Sequence, residues 1–311
     1  MERKNIRRLI KFSPAYKLIK ASQRIVLPGF EGLSLYIVSK FFLNGLRNGT
    51  LNTRASSLAF TFFLALFPSI IFIFTLIPYI HIAHFQDYLF NLLQSIMPKS
   101  AFAATEDTIT DIIKNQRSGL LSIGFFSALY FSTNGFNAMI NAFNETYHEI
   151  ETRKPLQQRL ISFYMLFVTI LLLSISIGLL IGSELAFNYL IHSNKILYYF
   201  IALIKWLILG GLCYAIISFN YYIGPKVKKG WRFFSAGSMF STVLIIIATV
   251  GFTYYVNNFG KYNKLYGSIG TLIVIMMLIY INALILLLGF DLNASIHSAK
   301  KQSDLFKRQS R

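Results

Sequence analysis

Four asparagines at helical spacing are the residues of this chain that most clearly point to polar chemistry. Asn134, Asn137, Asn141 and Asn144 follow one another at i, i+3, i+7 and i+10, so they share one face of a helix. Amide side chains are unfavourable in an apolar surrounding, so this stripe must face other helices or a polar cavity. Two interpretations stay open: the amides join helices by hydrogen bonds, or they line a polar path.

Two charged residues lie inside otherwise apolar stretches. Glu184 and Lys205 are nearly equidistant from a predicted turn at residues 192–194, which places them at similar depth in an antiparallel helix pair. We predict that they form an ion pair, because an unpaired lysine in an apolar medium is costly. The alternative is that the Lys205 side chain extends outward to water.

Pro68 and Asp291 mark the first and the last of the apolar stretches. A proline in the middle of a helix removes one backbone hydrogen bond, which bends the helix either for packing or at a substrate site. Asp291 closes the last stretch at an end that water can reach. A role as a cap or anchor and a role in handling protons both remain open for it.

Metal ligands and cofactor motifs are scattered or missing in this sequence. The five histidines fall in different connections, at positions 81, 84, 148, 192 and 297, and His81 with His84 is a weak metal signal by itself. We find no phosphate-binding glycine loop and no nucleophile elbow. The lone cysteine, Cys213, excludes an intrachain disulfide. We therefore expect no catalytic residue, no metal and no cofactor.

The elements that position these residues are six apolar helices. The chain has 311 residues, of which 14% are charged, against about 25% in soluble domains. Six windows hold no charged side chain, and each reaches the ~20 residues that cross a bilayer: 55–86, 118–144, 160–183, 206–225, 233–260 and 265–290. The pattern predicts an all-α polytopic membrane protein with spans at about 57–79, 120–143, 161–185, 197–220, 234–256 and 268–290.

The distribution of Lys and Arg predicts the orientation of these spans. Residues 1–54, 145–160, 220–232 and those after Asp291 hold 23 of the 30 basic residues, whereas the three other connections hold 6. Basic residues concentrate on the cytoplasmic side, so both termini are predicted to be cytoplasmic. The net charge of +18 then indicates contact with anionic lipid head groups rather than with nucleic acid.

Segments outside the spans form the predicted membrane surface. Residues 1–54 are a basic cytoplasmic segment, in which 3–24 is either an amphipathic interfacial helix or a disordered tail, and 31–47 is an interfacial helix. Two short helices are expected at the outer surface within 81–118. Residues 295–311 form a basic cytoplasmic tail.

Four blocks of sequence resemble the YihY/BrkB family of bacterial inner-membrane proteins. These are ASSLAFTFFLALFPSI at 55–70, SIGFFSALYFSTNGFNAMINAFNETY at 122–147, the P-x(5)-W-R pattern from Pro225, and YGSIGTLIVIMMLIYINALILLLGFDLNA at 266–294. The likeness extends over about residues 30–294. This family usually has Ala-Glu where this chain has Phe290-Asp291.

The resemblance implies a six-span inner-membrane protein whose relatives are linked to virulence or serum resistance and are regarded as possible transporters. The family has also carried the label ribonuclease BN. A metal-dependent nuclease needs clustered His and Asp ligands, which this sequence lacks, so we reject an enzyme. We expect a transporter or translocator of a small solute, ion or lipid; the alternative is a membrane scaffold or envelope-integrity factor.

A stripe of small residues on the third span concerns assembly. Ser174, Gly178 and Gly182 are spaced by four, which predicts a face that another helix can approach closely. That helix could belong to the same chain or to a second copy, so a homo-oligomer is possible.

Overall fold

The structure, a computed structural model, is all α-helical wherever it describes the chain. The residues that it describes are 20–27, 29–48, 50–80, 90, 106–107, 110–111, 115–146, 153–190, 195–226, 232–258 and 262–309. Their main helices in chain order are α1 (Leu35–Asn48), α2 (Leu51–Leu76), α3 (Ser118–Thr146), α4 (Pro155–Leu190), α5 (Lys195–Ile223), α6 (Ala236–Asn258) and α7 (Tyr262–Gln309). The predicted segment 3–24 and the predicted outer helices fall largely outside these residues.

Five of the described helices are long and apolar enough to cross a membrane. Their spanning parts are Leu51–Tyr79, Pro155–Ser183, Tyr199–Ile223, Ala236–Val256 and Leu272–Phe306. They coincide with the predicted first, third, fourth, fifth and sixth spans. The prediction of an all-α polytopic membrane protein is thus confirmed.

The predicted second span coincides with α3, which has 29 residues and is therefore about 43 Å long. It is less apolar than the other five because of its asparagine and hydroxyl side chains. It packs along α2: a Cβ atom on Gly124 would lie 3.2 Å from the Cα of Phe72, and one on Gly135 would lie 2.9 Å from the Phe62 ring. Glycine at these two positions lets α3 run beside α2 as a sixth helix of spanning length.

Helix α7 continues well beyond the predicted end of the sixth span. Residues 291–309 contain neither proline nor glycine, so nothing in the sequence stops the helix. This extension buries Ile296 in a small apolar cluster with Phe30, and Lys300 forms an ion pair with Glu31. The predicted basic tail is therefore helical over its described part, and the predicted interfacial helix coincides with α1, which packs against it.

One end of the bundle gathers most of its polar contacts. We call the end that holds Arg54, Arg153, Arg159 and Arg232 the basic end, and the opposite end the far end. Arg153 illustrates the packing there, because its guanidinium donates to the carbonyl oxygens of residues 223, 224 and 225 at the end of α5. Burial lowers the pKa of Arg153 from its ordinary value. The basic end is the one that the sequence predicts to be cytoplasmic.

The far halves of four helices pack much less than their basic halves. A helix turns once in 3.6 residues, so a stretch of eleven or more residues presents every face. Four such stretches contain no buried residue: 170–183 in α4, 199–216 in α5, 243–256 in α6 and 272–282 in α7. The main core cluster instead lies toward the basic end, around Leu58, Ile140, Met165, Tyr221 and Leu287. The four helices are therefore less closely packed toward the far end.

Candidate functional site

A buried ion pair connects the first turn of α2 with the middle of α7. Arg54 Nη2 lies 3.1 Å from Asp291 Oδ2, and the two side chains are only 6% and 8% exposed. Thr146, the last residue of α3, donates its hydroxyl hydrogen to Asp291 Oδ1 at 2.7 Å. Arg54 Nη1 donates to Thr146 Oγ1 at 2.6 Å and to the carbonyl oxygen of Ala142 at 2.9 Å. Three helices are thus joined through one charged centre.

The position of Asp291 differs from the sequence-based expectation. The sequence places it where water reaches it, whereas the structure buries it against Arg54. Removing two charges from water costs several kcal/mol per ion, which their attraction and the added hydrogen bonds must offset. Arg54 was not predicted, because it was assigned to the basic segment 1–54. The signal for it was its place as the last cation before the first charge-free window.

The block GFDLNA, which ends at Ala294, is the structural centre of the basic end. Gly289 lies so close to α6 that a Cβ atom on Gly237 would be 2.0 Å from its carbonyl oxygen. Phe290 stacks on Phe143 with ring centroids 4.1 Å apart. Asn293 Oδ1 accepts a hydrogen bond of 2.7 Å from the backbone N–H of Gly237, in the first turn of α6. The residues that carry the family resemblance are therefore those that hold α7 against α3 and α6.

A polar cavity of about 430 Å³ lies beside the buried pair. Its volume is in the range of small-molecule sites. Besides Arg54 and Asp291, the lining includes the carboxylate of Glu145, the amide of Asn44 and the hydroxyl of Ser298. Asn44 belongs to α1 and Ser298 to the extension of α7, so the cavity lies between the bundle and its surface helix. A small polar solute at the basic end would meet both signs of charge here.

Three of the four predicted asparagines meet one pair of residues at the start of α4. Gln158 Nε2 donates to Asn137 Oδ1 at 2.6 Å and to Asn141 Oδ1 at 2.7 Å. The Arg159 guanidinium donates to Asn134 Oδ1. The stripe therefore forms a polar seam between α3 and α4.

The fourth asparagine, Asn144, makes no hydrogen bond through its side chain to any residue that the structure describes. Both of its amide atoms are buried without a partner, and so are side-chain oxygens of Thr169, Ser218, Asn220 and Asn282. Buried polar groups in proteins nearly always have a partner, so these atoms are exceptions within the described part of the bundle.

Lys205, one half of the predicted pair with Glu184, borders a groove between α4 and α5. The groove measures about 420 Å³, and its lining includes Lys205, Gly178 and Gly182. The side chain of Glu184 is outside the described residues, so the ion pair stays a prediction.

The predicted stripe of small residues on α4 faces the same groove. A Cβ atom on Gly178 or Gly182 would meet nothing within 4 Å. The expected close approach is therefore wrong for helices of this chain in its described part, because α4 and α5 have separated here; an approach by a second copy stays a prediction.

Pro68 lies within α2, which continues through it from Leu51 to Leu76. The hydroxyl of Ser69 donates to the carbonyl oxygen of Ala65 at 2.7 Å, one turn earlier in the helix. The packing kink and the substrate-site break at Pro68 both stay predictions.

Metal ligands do not converge in the part of the chain that the structure describes, where no group of three or more His, Cys, Asp or Glu side chains comes together. Four of the five histidines, at 81, 84, 148 and 192, are outside that part.

Helices of spanning length, apolar side chains exposed around them and charges gathered at the ends define a polytopic α-helical membrane protein. The family described as virulence factor BrkB matches residues 42–311. The chain belongs to this family, and the resemblance found in its sequence is confirmed.

Proteins similar to this chain come from several bacteria. The ribonuclease-like protein YfkH of Bacillus subtilis is 31% identical over 256 residues, which are 81% of this chain and 92% of that protein. The UPF0761 membrane protein NTHI0384 of Haemophilus influenzae is 22% identical over 276 residues, 87% of this chain and 98% of that protein. No solved structure matches the chain.

Proposed function

We propose that this protein transports or translocates a small solute, an ion or a lipid across the bacterial inner membrane. The observation that supports the proposal most is the unequal packing of the bundle. The basic end is closed by a buried core and by the pair of Arg54 and Asp291. Toward the far end four helices are loosely packed, over stretches in which every described side chain is exposed or only half-buried. A bundle closed at one end and open at the other is the arrangement that alternating access requires.

The closure at the basic end supplies the second state of such a cycle. The Asp291 carboxylate holds α7 against α2 and α3 through Arg54 and Thr146. Breaking these contacts would connect the bundle interior to the polar cavity on the basic side. A ligand drives the change only if it binds the two states with different affinity. No ATP-binding motif is present in the sequence, so we propose that a gradient or the substrate itself supplies this difference.

Distance measurements between spin labels in liposomes test this cycle. In a Cys213→Ser background, one label pair at Ile181 and Val250 reports the far end, and a second pair at Leu156 and Met239 reports the basic end; all four side chains are well exposed. A transporter should show two distance populations for each pair. Asp291→Asn should shift the far-end pair to shorter and the basic-end pair to longer distances. Single narrow distributions that Asp291→Asn leaves unchanged would contradict the proposal.

Flux measurements are the direct functional test. Proteoliposomes are screened for uptake of ions and polar solutes and for transfer of fluorescent lipid between leaflets. Activity should be lost in Asp291→Asn and kept in Asp111→Asn, which changes a half-exposed aspartate paired with Arg117. If no flux above that of empty liposomes is found for any probe, and the labels also show one state, the transport proposal fails.

A scaffold or envelope-integrity role is the second candidate, and the hydrogen bonds of the asparagine seam favour it. Asn134, Asn137 and Asn141 each bind Gln158 or Arg159, as packing contacts between helices do. Replacing Asn134 and Asn137 by leucine separates the two roles. A transporter should lose flux while the purified protein stays folded, whereas a scaffold should lose thermal stability or remain normal.

We also propose that the protein is no nuclease, although its relative YfkH is named ribonuclease-like. The membrane family and the sequence without clustered metal ligands support this. Incubation of purified protein with RNA and divalent metal ions should give no cleavage above that of a mock preparation.

We further propose that both termini are cytoplasmic. Reporter fusions at both termini should give cytoplasmic signals, and signals from opposite sides would refute the predicted topology.

A further inference from the structure

The seam between α3 and α4 has hydrogen-bond donors that the described residues of the protein leave unused. The oxygen atoms of Asn134, Asn137 and Asn141 already accept hydrogen bonds from Gln158 and Arg159. What remains on the asparagines are three amide NH₂ groups, and the guanidinium keeps further N–H groups. Among the described residues these donors have no acceptor. A surface of donors with one positive charge suits an anion with several oxygen atoms.

The orientation of Arg159 supports the same conclusion. It lies four residues after the start of α4, about 6 Å along the axis, close enough for its side chain to extend to the membrane surface. Instead it points toward the far end, where it binds Asn134. The rings of Tyr130 and Phe163 lie beside it, with centroids 5.0 and 5.7 Å from its central carbon. A cation held below the surface of a membrane needs a counter-charge.

No carboxylate supplies that charge within the part of the chain that is described. Arg159 makes no ion pair there. The next acidic residue on this face of α3 is Glu145, which follows Asn134 by eleven residues, or about 16 Å along the axis. Within the described part of the chain, the charge of Arg159 is therefore left for a bound anion to balance.

The seam is open to the surroundings of the bundle. Tyr130 is 56% exposed and Leu160 61% exposed, and Asn141 is exposed as well. Leu160, Tyr164 and Phe167 continue from the seam along one exposed face of α4. A polar patch bordered by an apolar strip fits a molecule that has a charged head and hydrocarbon chains.

We propose that this seam binds the phosphate group of a glycerophospholipid in the leaflet at the basic end. Arg159 and the amides of Asn134, Asn137 and Asn141 contact the phosphate oxygens, and the acyl chains lie on the face of Leu160, Tyr164 and Phe167. The site does not depend on transport, so a protein without flux would still bind the lipid.

Native mass spectrometry of the detergent-purified protein tests the site. Phosphatidylglycerol is compared with diacylglycerol of the same chains, which lacks the phosphate. The intact protein should retain phosphatidylglycerol. Arg159→Gln should weaken this binding by roughly 10- to 100-fold, because a hydrogen-bonded charge is lost. Lys154→Gln, which removes an exposed cation next to the start of α4, should leave it unchanged.

A second variant keeps the test decisive if Arg159→Gln does not fold. Asn141→Leu removes one donor at an exposed position and should lower retention by roughly fivefold to tenfold. Inorganic phosphate at millimolar concentration is added as a competitor. Displacement of the lipid would assign recognition to phosphate alone, and failure to displace it would assign part of the affinity to the acyl chains. Equal retention of diacylglycerol, or normal retention in the Arg159 and Asn141 variants, overturns the proposal.

Discussion

Replacing Asp291 by alanine removes the negative half of the buried pair. Arg54 then loses its partner at 3.1 Å, and the Thr146 hydroxyl loses its acceptor. The guanidinium keeps only the Ala142 carbonyl and the Thr146 oxygen. A charge left alone in a buried site costs about 3–5 kcal/mol. We therefore expect Asp291→Ala to lower the free energy of unfolding by that amount.

The double variant Arg54→Met with Asp291→Leu separates charge from packing. It removes both ions and keeps similar volumes, so it should cost much less than the single change. The assay is a titration of detergent-solubilised protein with SDS, followed by far-UV circular dichroism. Asp111→Ala, which breaks a partly exposed pair with Arg117, serves as the control and should change stability by less than about 1 kcal/mol. If Asp291→Ala cost no more than this control, the account of the pair would be wrong.

Three further changes test the packing at the basic end, with the same SDS titration as the measurement. Gly289→Ala should destabilise by about 3 kcal/mol or more, because its Cβ atom would lie 1.9 Å from the Ser241 hydroxyl. Gly251→Ala, where nothing lies within 4 Å, should be neutral or slightly stabilising, and an equal effect of both would refute the close crossing. Tyr221→Phe should cost about 1 kcal/mol, because the buried hydrogen bond from the Tyr221 hydroxyl to the Leu286 carbonyl oxygen is lost; no loss would contradict this contact. Gln158→Leu should cost about 1–3 kcal/mol through its two lost hydrogen bonds, and unchanged stability would show that the seam does not hold α3 to α4.

The helices could be predicted because charge is a sharper signal than hydropathy in this chain. Helix α3 is too polar to count among the five most apolar helices, yet residues 118–144 hold no charged side chain. Its asparagines are tolerated because α4 supplies hydrogen-bond partners. The end of α7 could not be predicted in the same way, because residues beyond the membrane follow ordinary amphipathic rules and pack on α1.

The site was only half predictable from the sequence. Spacing along a helix shows which residues share a face, and it correctly grouped Asn134, Asn137 and Asn141. It does not show which helix lies opposite, so Gln158 and Arg159 were counted only as connection residues. Asp291 was singled out because it closes the last apolar stretch, whereas Arg54 was missed because it was assigned to the basic segment 1–54. Each interrupts or borders an apolar stretch, but their contact joins residues 237 positions apart.

That separation also constrains how the protein is made. At about 5–20 residues per second, the ribosome needs roughly 12–47 s to synthesise the chain between Arg54 and Asp291. Throughout this interval the first span has been produced, but Arg54 lacks the Asp291 carboxylate. The first span therefore gains its ion pair only when the last helix has been inserted. A chain truncated before residue 291 lacks this pair, and we expect it to be degraded.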